Sequence, residues 1–130
     1  MRKVVVQEFV TLDGFAAGGP NGEIDFITDS GGGADPTLGP FVEDQLAFIG
    51  RLDAMLLGAE TYRMFAAFWP EQTVETQAIA DALNGTPKIV FSGTLERAPW
   101  GGWDEARVVR GSAADEVRKL TAEPGESMVV

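Results

Sequence analysis

Asp53-Ala54-Met55-Leu56-Leu57-Gly58-Ala59-Glu60-Thr61-Tyr62-Arg63-Met64-Phe65 passes from a continuous apolar run into a helix-forming stretch across one glycine. Residues 53–58 read as a buried strand, and residues 59–65 as the first turns of a helix. A helix start exposes backbone N–H groups that no intrahelical carbonyl satisfies. Together with the positive end of the helix dipole, those groups favour an anion. Gly58 lets a ligand approach the backbone, and Thr61 adds a hydroxyl at the same mouth. A shorter version follows, with Pro87-Lys88-Ile89-Val90-Phe91 as strand and Ser92-Gly93-Thr94 as turn. Two phosphate-compatible turns after consecutive strands suggest an extended, phosphate-bearing ligand such as a dinucleotide. Glycine also marks ordinary strand-to-helix turns, so the junctions alone leave both readings open.

Composition narrows the class. At 130 residues the chain amounts to at most one ordinary domain, taken as 1–130. It is 45% hydrophobic and 23% charged, the balance of a soluble globular protein. No apolar run is long enough to span a bilayer, and Gln7 and Glu8 interrupt the apolar start, so no signal peptide is expected. The expected location is the cytoplasm, with no membrane partner. Zero cysteine excludes disulfides, thiolate nucleophiles and thiolate metal sites. Zero histidine excludes imidazole bases, Ser-His triads and the commonest zinc sites, so no metal is expected. Proton chemistry falls to carboxylates, Tyr62, lysine or water. A net charge of −10 argues against nucleic acid, where affinity needs clustered Lys and Arg. It leaves room for a small phosphorylated cofactor held by backbone amides.

Val4 to Thr11 reads as a first strand, rich in β-branched and aromatic residues. Gly14 to Gly39 holds eight of the 16 glycines and reads as a long binding loop or lid, with a short piece at Glu23–Ile27. Phe41, Val42, Leu46, Ile49 and Leu52 follow at helical spacing behind Pro40. The helix from Glu60 is expected to end at Trp69-Pro70. Val74 to Leu83 suggests another helix closed by Asn84-Gly85. Around Trp100-Gly101-Gly102-Trp103 the chain wanders, then Arg107-Val108-Val109 makes a short strand. Ala113, Val117 and Leu120 mark a last helix. Met128-Val129-Val130 looks like the opening of a buried strand with nothing after it. It reads either as an edge strand or as the point where an incomplete fold stops. Strands alternating with helices indicate an α/β fold with a mostly parallel sheet.

Four segments carry a family likeness. Val10-Thr11-Leu12-Asp13-Gly14-Phe15-Ala16-Ala17 resembles the S-L-D-G-x-I-A segment of RibD C-terminal-domain-like proteins, within the dihydrofolate reductase superfamily. Leu56-Leu57-Gly58-Ala59-Glu60-Thr61-Tyr62 is similar to their L-x-G-R-x-T-Y-E segment, and Phe65-Ala66-Ala67-Phe68-Trp69-Pro70 to the aromatic-Trp-Pro ending of that helix. Lys88-Ile89-Val90-Phe91-Ser92-Gly93-Thr94-Leu95 resembles the K-x-V-x-S-x-T-L strand and turn. The resemblance implies a mixed, mostly parallel sheet flanked by helices, with NADPH across the strand ends. It implies reduction of a small heterocycle, pteridine-like or aminopyrimidine-like, as in riboflavin biosynthesis. Gly58 and Thr61 would face the cofactor pyrophosphate. Ser92, Gly93 and Thr94 would lie near the adenosine ribose and its phosphate, and Ala16 and Ala17 near the nicotinamide. The family also implies a homodimer.

Two departures stand out. The family's arginine after the glycine is Ala59 here, followed by Glu60, which leaves NADH open beside NADPH. The family also continues past Val129-Val130 into a Gly-rich loop, a helix and further strands, so the resemblance covers about its first two-thirds. For a proton donor the candidates are Asp13, beside the implied nicotinamide site, and Glu43 and Asp44, read as the first turn of the helix after the loop. Carboxylates favour a helix start in any case, and Asp13-Gly14 is an ordinary turn pair. Trp69, Trp100 and Trp103 suit either stacking on a flat substrate or packing. Two functions follow: an NAD(P)H-dependent reductase, or a non-catalytic nucleotide-binding or assembly domain on the same fold.

Overall fold

The computed structural model describes residues 1–16 and 39–130. Within them lie β1 (Lys3–Val5), α1 (Gly39–Ile49), β2 (Leu52–Gly58), α2 (Ala59–Phe68), α3 (Ala80–Gly85), β3 (Lys88–Phe91), β4 (Ala98–Trp100), β5 (Trp103–Val109), α4 (Ala113–Ala122) and β6 (Ser127–Val129). The sheet order is β1-β6-β2-β3-β5-β4, parallel throughout except for the β4–β5 hairpin.

The unbroken apolar run of β2 makes sense at the centre of this sheet, because both of its faces are covered. Met55 and Leu57 point one way with Val90, Ala106 and Val129, under Ile49 of α1, Tyr62 of α2 and Leu83 of α3. Ala54 and Leu56 point the other way with Ile89, Val109 and Met128, under Leu120 of α4. Residue-by-residue alternation therefore sorts one strand into two cores. The α4 start is fixed by Ser112, whose hydroxyl accepts from the Asp115 amide at 3.3 Å.

The chain's last strand is an interior strand. Met128 pairs with Val4 on one side and Ala54 on the other, and residues 127–129 are all buried. The edge-strand reading of Met128–Val130 is therefore corrected. A polar clamp seats β6. Arg2 Nε lies 3.3 Å from Asp53 Oδ2, the same oxygen accepts from the Glu126 amide at 2.7 Å, and Arg2 Nη2 donates to the Pro124 carbonyl at 3.0 Å.

Other sequence expectations also change. The first strand stops at Val5 instead of Thr11, because its ladder is with β6 and the last bond is Gln7 N–H to the Val130 carbonyl. The stretch around Trp100 is a tight hairpin, and β5 begins at Trp103 instead of Arg107. Gly101 is required in that hairpin: its φ is +55°, and a Cβ there would lie 2.5 Å from Pro70 Cβ. Helix α3 is shorter than Val74–Leu83 suggested. The Thr76 hydroxyl accepts from the Thr73 amide at 2.9 Å and donates to the Thr73 carbonyl at 3.0 Å, holding a turn that competes with helix. Glu43 and Asp44 lie beyond the first turn of α1, since that helix begins at Gly39 and its first turn holds no acid. The expected loop lies, apart from residues 14–16 and 39, outside the described residues, as does its Glu23–Ile27 piece.

Candidate functional site

The C-terminal ends of the parallel strands gather most of the residues singled out by sequence. Gly58 stands in register with Phe91, so Gly58 and Ser92 close neighbouring strands, about 4.8 Å apart by sheet geometry. One strand further, the Ser92 amide donates to the Val109 carbonyl at 3.0 Å. Helix α2 starts at Ala59 with no side-chain cap. Its first amides therefore face the strand ends without an intramolecular side-chain acceptor. Gly58 has an ordinary extended conformation (φ −73°, ψ 163°), and nothing lies within 4 Å of the Cβ it lacks. Its turn does not need glycine; what glycine provides here is open space above the backbone. Thr61 is exposed in the first turn, while Glu60 is paired with Arg63. Tyr62 packs inward, donating to the Pro99 carbonyl at 2.7 Å; burial, then the Glu105 charge, push its hydroxyl pKa up.

The Ser92 turn is organised differently from the sequence expectation. The Ser92 hydroxyl accepts from the Thr94 and Leu95 amides at 3.2 and 3.1 Å. Those amides are thus closed on the turn itself. What the turn exposes outward is Gly93, again with open space, and the Thr94 side chain.

On the β1 side, Thr11 to Phe15 forms a tight turn. The Thr11 hydroxyl donates to Asp13 Oδ1 at 2.6 Å and accepts from the Phe15 amide at 2.9 Å, with Gly14 at φ +90°. Ala16 is exposed, and Ala17 lies outside the described residues. Strand β6 separates β1 from β2, so this turn and Gly58 follow strands two places apart. Asp13, Glu43 and Asp44 are all exposed.

The opposite end of the sheet carries an open cleft of about 790 Å³, lined by Arg2, Asp53, Lys88, Asp104, Arg107 and Glu116 among others. Its charges are largely paired internally, Arg2 with Asp53 and Arg107 with Glu116. Ligands of open α/β sheets bind at the carboxyl ends of the strands, which favours the other end. The signal that sequence reasoning missed is Lys88, a lysine opening a buried strand. Its ammonium bonds the Asn84 carbonyl and lies 4.4 Å from the Trp100 ring centroid. Burial, partly countered by Asp104, pushes its pKa down to about 8. An unfolded lysine titrates near 10.4. Between those values the unfolded chain holds a proton that the folded chain does not, so stability rises with pH. Urea unfolding from pH 8 to 10 should show a gain approaching about 1 kcal/mol per pH unit relative to Lys88→Met. Parallel pH curves for the two proteins would contradict a buried Lys88. Trp69, Trp100 and Trp103 belong to this end too. Trp69 and Trp100 bond Asn84, and Trp103 pairs with Trp100, so none stacks over the C-terminal strand ends.

Comparison with solved structures finds a provisionally named riboflavin biosynthesis protein from Shewanella sp. PV-4, 24% identical, with a TM-score of 0.63. The match covers 100% of this chain and 64% of that one, so the chain spans less than two-thirds of its neighbour's length. No protein-family model and no curated protein matches. No described helix is long and apolar enough to cross a membrane. The likeness establishes the fold: a mostly parallel six-stranded α/β sheet flanked by helices, consistent with a dihydrofolate-reductase-like architecture.

Proposed function

We propose that the chain is the nucleotide-binding part of an NAD(P)H-dependent reductase acting on a small heterocycle, pteridine-like or aminopyrimidine-like, in the manner of riboflavin-biosynthesis reductases. The observation that carries this reading is the adjacency of Gly58 and Ser92 at neighbouring strand ends, beside the uncapped start of α2. An extended diphosphate-bearing ligand suits that arrangement: amides of residues 59–61 and the Thr61 hydroxyl hold the pyrophosphate, and Gly93 and Thr94 border the adenosine end. The dinucleotide supplies the hydride; the chain binds it, orients it and limits water access. We assign proton delivery to Asp13 rather than Glu43 or Asp44, because the Thr11 hydroxyl fixes one of its carboxyl oxygens. The proposed setting is a cytoplasmic homodimer.

The test uses the open space at Gly58. Gly58→Val should fold, since its backbone angles suit any residue and nothing lies within 4 Å of the added Cβ. Calorimetric titration with NADPH should show affinity reduced about tenfold or more, and Thr61→Val a loss of about 1 kcal/mol, one hydrogen bond's worth. Unchanged affinity in both variants would refute this pyrophosphate site. The exposure of Asp13, Glu43 and Asp44 favours a second reading, a nucleotide-binding or assembly domain without catalysis. Dinucleotide binding without reductase turnover on any pteridine or aminopyrimidine would select it.

A further inference from the structure

We infer that Lys88 is a reversible attachment site for a small uncharged aldehyde, held as an imine in the cleft at the N-terminal end of the sheet. The inference stands apart from the dinucleotide reading, since this cleft lies at the end opposite Gly58 and Ser92.

The basis is the setting of one amine. Lys88 opens β3 and is 4% exposed, yet it lines the open cleft of about 790 Å³. Among the described residues its ammonium has one hydrogen-bond acceptor, the Asn84 carbonyl, and it lies 4.4 Å from the Trp100 ring centroid. No carboxylate of the described residues comes within 4.0 Å of it, whereas Lys119 is paired with Glu116. One carbonyl and an indole face replace the water that an exposed ammonium would have, so the charged form is less favoured here. The Lys88 pKa agrees: burial, against the pull of Asp104, pushes it down to about 8. A desolvated lysine with a free lone pair is suited to attack a carbonyl compound.

The same surroundings suit the product. The Nζ lone pair forms a bond to the carbonyl carbon, the C–O bond breaks, and the oxygen leaves as water with the two amine protons. The imine nitrogen then takes up one proton from solvent. The protonated imine keeps one N–H for the Asn84 carbonyl and one positive charge over the Trp100 ring, so it replaces the ammonium in kind. The cleft sets the class of electrophile. Its lining carries five carboxylates against two arginines beside Lys88, a field that repels anions. Phosphorylated aldehydes and keto acids are thereby disfavoured. The burial of Lys88 limits the partner to a small one. Trp103 also lines the cleft and is 40% exposed, which offers a short alkyl chain an apolar surface.

Reductive trapping on the whole chain tests this. Its amines are the Met1 amino group and the side chains of Lys3, Lys88 and Lys119. Folded protein at pH 7 is treated with acetaldehyde and cyanoborohydride, and peptide mass mapping gives the rate at each amine. Lys88 should react about tenfold or more faster than Lys3 and Lys119, because a far larger share of it carries a free lone pair. A rate at Lys88 equal to or below those two would overturn the inference. The Lys88 rate should also stay level through urea concentrations that leave the chain folded. A rate that climbs with the unfolded fraction would show that the aldehyde reaches this amine only in the open chain, and would overturn the inference as well. Glyoxylate, an anionic aldehyde of the same length, separates charge from size. Its labelling of Lys88 relative to the two exposed lysines should be severalfold lower than that of acetaldehyde. An equal preference would overturn the uncharged class. Without cyanoborohydride, dilution should return the acetaldehyde-treated protein to its original mass, and an adduct that persists would contradict a reversible imine.

Discussion

Met128→Ala is expected to lower the unfolding free energy by about 2–5 kcal/mol, the range for emptying a fully buried core position. Met128 has no exposed surface. It sits in the middle strand of the β1-β6-β2 trio and packs with Ala54, Leu56, Ile89, Val109 and Leu120. Its removal opens a cavity between the sheet and α4 that two flanking strands prevent from closing. Val4, its register partner on edge strand β1, is 39% exposed, so Val4→Ala is the control and should cost about 1 kcal/mol or less. Urea unfolding of both variants reads the difference. Equal small costs would mean that β6 behaves as a loosely held strand. The homodimer implied by the family resemblance would not form by pairing at β6, which has a neighbour on each side. Among the described residues the sheet ends at β1 and β4, three residues each, short enough to discourage edge-to-edge pairing.

The elements legible in sequence are those whose signals are local. The apolar run into Gly58 and Ala59, the Lys88–Phe91 strand and the Ser112-started helix each rest on neighbours within one or two turns. The position of β6 depends on residues far apart. Arg2, Asp53 and Glu126 meet only in the folded sheet, and Met128-Val129-Val130 has the same local pattern at an edge or in the middle. The β4–β5 hairpin did carry a local signal, since Gly101-Gly102 between apolar residues is a two-residue hairpin loop. Pro99 obscured it by weakening the strand pattern on one side. For the candidate site, Gly58, Thr61, Gly93 and Thr94 were legible as turn chemistry. The internal closure of Ser92 was not, because a hydroxyl in a turn looks the same whether it faces outward or caps its own amides.

Asn84→Ala is expected to cost about 2–4 kcal/mol, one or two buried polar groups left without partners. Asn84 is 3% exposed and ties three elements together. Its Oδ1 accepts from Trp100 Nε1 at 2.7 Å, and its Nδ2 donates to the Trp69 carbonyl at 2.9 Å. Its own carbonyl accepts from the Lys88 ammonium, which stands over the Trp100 ring. Alanine keeps the carbonyl but strands the indole N–H of a tryptophan with no exposed surface. Asn84→Asp separates the two lost bonds. It restores an acceptor for Trp100, still lacks the donor to Trp69, and adds a negative charge near Lys88. It should therefore be milder than alanine below pH 8 and should flatten the rise in stability between pH 8 and 10, because a neighbouring carboxylate holds the ammonium protonated. Unfolding free energies of the three proteins at pH 7 and 10 decide the matter. A cost below about 1 kcal/mol for alanine would mean that water replaces the amide. Because this network lies at the end of the sheet opposite Gly58 and Ser92, both variants, where folded, should bind NADPH as the wild type does. Weakened binding in either would tie the two ends of the sheet together and contradict the separation of scaffold from site.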